Sequence, residues 1–235
     1  MLINKYIKMY SLELVRNKSA AFFTIVFPAL LLIMFGRQGN TTIIGQWDMF
    51  VSMSNYAVQS SMFLALGMSI AMSRGSKWNE YMQLLPVSSF CRVTGKVIAM
   101  FMFAVISLLL VIVVGMSWLH ITIHFKNIAW MFLSALVGGI PLGFLGVFVA
   151  YLVNEVTARS VFVVLNLLLF FAAFSLPDHG VLSYVRYAIP TYQWLSLSCS
   201  LTLAKPIEYA SLYGFIGYTV LFYFMALRVA RSSVK

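Results

Sequence analysis

The sequence predicts an all-α integral membrane protein with six transmembrane helices, and three observations predict it. Hydrophobic residues make up 62% of the 235-residue chain and charged residues only 9%, whereas a soluble domain carries roughly 25% charged residues. The apolar residues fall in long blocks, not in short amphipathic repeats. The Lys and Arg residues gather at the ends of those blocks, where they set membrane topology. Too few polar side chains remain to coat a water-facing globule of this size.

The blocks are Ala20–Gly36, Phe50–Met72, Val97–Leu119, Ile128–Val153, Ser160–Leu176 and Ala210–Leu227. Each has about 17 to 26 residues, enough to cross ~30 Å of hydrocarbon as a helix. A helix is required because lipid offers no partner to backbone N–H and C=O groups. There is no internal repeat and no low-complexity linker, so residues 1–235 read as one domain. The first block starts late and lacks a small-x-small cleavage site, which argues against a cleavable signal peptide.

The basic residues set the orientation. One set of connections holds Lys5, Lys8, Arg16, Lys18, Arg74, Lys77, Arg92, Lys96, Arg159, Arg228, Arg231 and Lys235, which is twelve of the 16. The other holds Arg37, Lys126, Arg186 and Lys205, the remaining four. The richer side is expected in the cytoplasm, with both termini inside. The net charge of +10 therefore reflects topology, and no nucleic-acid partner is expected. Cys91 and Cys199 fall on opposite sides of the membrane in this reading, so no disulfide is expected.

Three segments fall outside a plain six-helix pattern. In residues 2–18, Ile3, Tyr6, Ile7, Tyr10 and Leu14 line one helical face, with Lys5, Lys8 and Arg16 elsewhere on the wheel. This predicts an N-terminal helix lying in the membrane interface. In the connection from Ser73 to Lys96, Trp78, Tyr81, Met82 and Leu85 follow an i, i+3, i+4, i+7 pattern that Pro86 terminates. A short cytoplasmic amphipathic helix is expected there, which either rests on lipid headgroups or docks a cytoplasmic partner. Residues 177–206, punctuated by Pro177, Pro190 and Pro206, are too long for a turn and too apolar for a free loop. Tyr184, Tyr187, Tyr192 and Trp194 suit the interface. One or two short helices dipping into the outer leaflet are expected, as a re-entrant segment; the alternative is a seventh, broken span.

The residues that could carry chemistry are few. Gly95-Lys96 is not a phosphate loop, because Phe90 stands where the first Gly is needed and Val97 replaces the Ser or Thr. The chain therefore has no ATP site of its own. His120 and His124 share a helical spacing but lack further ligands, so no metal site is expected. Glu155 and Arg159, spaced i, i+4, are expected to pair. Asn55 and Gln59 lie one turn apart in the second span and Asn166 lies in the fifth. Each is costly in lipid unless it faces another helix or water, so these residues either hydrogen-bond between helices or border a substrate path. Gly139 and Gly143 flank Pro141 in the fourth span. They point to close helix packing or to a flexing point.

The order of these features resembles the permease subunit of ABC-2 type ABC transporters. The resemblance rests on Glu13-x-x-Arg16-Asn17-Lys18 followed by Phe22-Phe23 and Phe27-Pro28, and on Arg74-Gly75 through Leu84-Leu85-Pro86-Val87-Ser88 to Gly95-Lys96. The Gly-rich fourth span and the Pro-punctuated outer segment add to it. Ser73 and Ser76 flank the Arg74-Gly75 pair, where that family commonly carries an acid. The resemblance implies a dimer of permease chains in a bacterial cell membrane, with two cytoplasmic ATPase subunits that hold ATP and Mg. Trp78, Tyr81, Met82 and Leu85 would then be the coupling helix, and the pathway between the two permeases would export an amphipathic substrate such as a drug, antimicrobial peptide or lipid. The alternatives are an ATP-independent channel or secondary transporter, whose marker is buried charge or an inverted repeat, and a membrane enzyme acting on lipids, which needs clustered acids, histidines or a metal set.

Overall fold

The computed structural model describes residues 2–36, 43–74, 89–119, 124–175, 185 and 187–232, and among these residues there is no strand. Helix α1 is Leu2–Arg16. A broken helix follows: α2, Lys18–Ala21, a π-helical turn at Phe22–Val26, and α3, Phe27–Phe35. Next come α4, Ile43–Gln59, a second π-helical turn at Ser60–Ala65, and α5, Leu66–Arg74. The remaining helices are α6, Ser89–Trp118; α7, Phe125–Leu152; α8, Glu155–Ser175; α9, Pro190–Leu203; and α10, Tyr209–Ser232.

Among the described residues five helices are long and apolar enough to cross a membrane: Gly45–Arg74, Val93–Trp118, Phe125–Leu152, Glu155–Ala173 and Tyr209–Val229. The protein is thus membrane-embedded. The first expected span corresponds to an apolar helix, Phe22–Phe35, that falls short of 18 residues. The bundle is built around Gly45–Arg74, whose apolar 18-residue stretch is 78% buried, whereas the corresponding stretches of Glu155–Ala173 and Tyr209–Val229 are 22% and 17% buried. Both are apolar over most of their length and largely uncovered, so α8 and α10 are the outer helices of the bundle.

The expected third-span boundary at Val97 is corrected. Helix α6 begins at Ser89, which places Gly95 and Lys96 inside a helix and not in the preceding loop. The reason is that α1 covers this first part of α6: a Cβ on Gly95 would meet Tyr6 Cβ at 2.7 Å. The face expected for α1 is the one it buries, through Tyr6 and Leu14, while Leu12 and Val15 stay exposed. Hydropathy alone starts the span too late because it scores Lys96 as a loop residue.

A second correction concerns the outer segment. Trp194, expected at the interface, is only 3% exposed inside the bundle. Its helix, α9, starts at Pro190 in the first-turn position where proline costs least. It ends at Ala204, whose left-handed φ of 53° stops the helix while Lys205 N donates to Ser200 O at 3.1 Å. Lys205 then pairs with Asp48 at 3.0 Å, near the start of α4. The expected Glu155–Arg159 pair is not made; both residues are exposed, where such a pair gains little.

Candidate functional site

Asn55, Gln59 and Asn166 are brought together in the middle of the bundle, and none faces lipid: they are 4%, 2% and 1% exposed. Asn55 and Gln59 share a face of α4 because they are four residues apart. Gln59 Nε2 donates to Asn166 O at 2.9 Å and lies 3.2 Å from Asn166 Oδ1. Asn166 Nδ2 in turn donates to the Tyr56 hydroxyl at 3.1 Å. This group ties α4 to α8.

A second group ties α4 to α7 and α9. Ser198 Oγ donates to Asn55 Oδ1 at 3.1 Å and lies 3.0 Å from Ser134 Oγ. Trp194 Nε1 donates to Ser134 O at 3.0 Å. Ser134 and Ser198 were not singled out from the sequence, and Trp194 was expected at the interface. The signal was there in part: a hydroxyl or indole N–H in an apolar setting must find an acceptor.

The glycines of α7 make these approaches possible. Trp194 lies against Gly138, where a Cβ would overlap the indole nitrogen. A Cβ on Gly139 would meet Val58 Cγ1 at 2.5 Å, and one on Gly143 would meet Met62 Cε at 3.2 Å. Pro141 is buried within α7, which runs unbroken from Phe125 to Leu152. Gly139 and Gly143 therefore pack on α4 and the second π turn.

A third polar group joins the two π-helical turns. Within the first turn, Thr24 O accepts from Ser107 Oγ at 2.7 Å and from Ser60 Oγ at 3.3 Å. Ser60 opens the second turn and Ser107 belongs to α6. Such widened turns often mark functional positions in helices, and here serines from two neighbouring helices hold them.

The fourth group lies where α5 ends and α6 begins, at the end expected to face the cytoplasm. Lys96, 6% exposed, donates from Nζ to Ser69 O and Ser73 Oγ, both at 3.2 Å. The ammonium also lies 4.9 Å from the centre of the Tyr10 ring. Ser69 Oγ donates to Glu13 Oε1 at 3.2 Å. Arg74 Nη1 donates to Ala150 O at 2.7 Å, and its guanidinium sits 4.6 Å over the Tyr151 ring. A cation on the last carbonyls of a helix suits the negative end of its dipole. Ser73 thus stands against Lys96 where the resemblance leads one to expect an acid.

Trp78, Tyr81, Met82 and Leu85 lie outside the described residues. In sequence they fall between the end of α5 at Arg74 and the start of α6 at Ser89, the two helices that Lys96 ties to α1. No family model matches the chain, and neither does any curated protein or solved structure.

Proposed function

We propose that this chain is the permease subunit of an ATP-driven ABC exporter, with six spans and both termini in the cytoplasm. The short first span is the broken helix from Lys18 to Phe35, whose π turn is tied to α6 through Ser107. Two copies would form the export pathway for an amphipathic substrate, and separate cytoplasmic ATPase subunits would supply ATP and Mg. The observation that carries this reading is the clamp at Lys96. It binds the N-terminal helix to both ends of the segment that holds Trp78, Tyr81, Met82 and Leu85. A push delivered to that segment reaches α1, α5 and α6 together, as a motor-driven permease requires.

Asn55, Gln59 and Asn166 take the interhelical role in this reading, because Gln59 and Asn166 bond each other, Asn166 bonds Tyr56, and Asn55 accepts from Ser198. They would influence the pathway by holding α4, α8 and α9 in register. Buried charge was the marker of a secondary transporter, and Lys96 is buried. A single lysine held by two serines at a helix start is not a relay of acids and bases, so the exporter reading stands ahead.

The test is a pull-down of tagged chain co-expressed with the ABC ATPase subunit, comparing wild type with a Trp78→Ala, Leu85→Ala double variant. Truncating an aromatic anchor at an interface costs about 2 kcal/mol or more, some thirtyfold in affinity. The exporter reading expects the double variant to insert normally and lose the ATPase. Asn79→Ala with Gln83→Ala, on the opposite face, should retain it. Equal recovery with both double variants removes the docking role.

A further inference from the structure

The polar core of the bundle falls into two halves that share α4 yet make no direct bond to each other among the hydrogen bonds described above. One half is Gln59, Asn166 and Tyr56; the other is Asn55, Ser198, Ser134 and Trp194. Between them lies a cavity of about 10 Å³, lined by Ser52, Asn55, Tyr56, Gln59, Thr191 and Trp194 with Phe170, Ala173 and Leu195. Both halves therefore face the same small space. Asn55 Nδ2 is buried and unpartnered, and its residue lines that space.

We propose that this cavity is the seat of a single ordered water that joins the two halves. The volume is that of about one water and no more. An amide N–H donor at this depth needs an acceptor, and water is the smallest that fits. The seat also offers the remaining partners a buried water uses. Thr191 spends its proton on Leu169 O at 2.7 Å, and Ser52 spends its own on Asp48 O at 2.7 Å. The oxygens of both hydroxyls retain lone pairs to accept from the water. The Tyr56 hydroxyl accepts from Asn166 and keeps its own proton to donate. The water thus receives from Asn55 and Tyr56 and gives to Thr191 and Ser52. The consequence is a continuous polar strut from Asn166 on α8, through α4, to Ser134 on α7. The proposal concerns the architecture of the core and does not depend on the exporter reading.

The test is water-selected solid-state NMR on the chain in lipid bilayers, reading magnetisation transfer to the Asn55 side-chain amide and the Thr191 methyl. Transfer from a confined water is expected at both sites in the wild type. Asn55→Leu fills the space, so transfer at Thr191 should be lost. Asn55→Ser keeps a donor and leaves room, so transfer at Thr191 should persist; this variant covers the case in which Asn55→Leu fails to fold. No transfer at either site in the wild type overturns the proposal. So does transfer at Thr191 that survives Asn55→Leu, because the water would then be passing solvent.

Discussion

Gly138 and Trp194 occupy one site: the indole of Trp194 lies where a side chain on Gly138 would be, and its nitrogen donates to Ser134 one turn earlier on α7, at 3.0 Å. The expected outcome of Gly138→Ala is a displaced Trp194 and a loss of about 1–3 kcal/mol, the usual cost of overfilling a packed core. The natural control is Gly217 on α10, where a Cβ meets nothing within 4 Å. Gly217→Ala should leave stability unchanged or raise it slightly. Thermal unfolding in detergent, read side by side, checks the contrast.

Lys96 should govern how firmly α1 is held. Lys96→Ala removes the donor to Ser69 and Ser73 and opens the space under Tyr10. Hydrogen bonds to a charged group are worth about 1.5–3 kcal/mol each, so amide exchange in residues 6–14 should rise about tenfold or more. Glu13→Gln, which weakens the Ser69 contact and removes the negative charge near Lys96 but leaves the lysine in place, should raise it less. Unchanged exchange in Lys96→Ala would show that α1 is held by apolar packing alone.

Gln59 and Asn166 should behave as a pair. Replacing Gln59 by Leu leaves the buried Asn166 side-chain oxygen without its donor, and replacing Asn166 by Leu takes that acceptor from Gln59, which keeps only its main-chain bond; an unpartnered buried polar group costs about 1–3 kcal/mol. The double replacement should cost less than the sum of the two singles. Unfolding midpoints of the four proteins give the coupling. In export assays, all substrates should decline in step with folded protein. A selective change in which compounds are exported would instead place these residues on the substrate path.

The span cores were legible in the sequence because hydropathy reports burial in lipid and in protein alike. The buried face of α1 was legible from the spacing of Tyr6, Tyr10 and Leu14. The start of α6 was not, because Lys96 carries a charge that only tertiary contacts on α1 and α5 could hold. Trp194 was misplaced for a related reason: an amphipathic ring suits the interface, but here Gly138 leaves room for it in the core. The polar trio at Asn55, Gln59 and Asn166 stood out because amides are rare in spans. Ser60, Ser107, Ser134 and Ser198 passed unnoticed because a serine in an apolar block looks like any other small residue until its acceptor is known.

The most direct test of the central claim is the ATPase rate of reconstituted vesicles, measured with the chain alone and with the co-purified ABC ATPase subunit, with and without an amphipathic substrate. The account predicts no hydrolysis from the chain alone, and a rate that substrate stimulates once the partner is present. It also predicts that Trp78→Ala with Leu85→Ala abolishes the stimulation. Export by vesicles that contain the chain but no ATPase and no ATP, or robust hydrolysis by the chain alone, would contradict it.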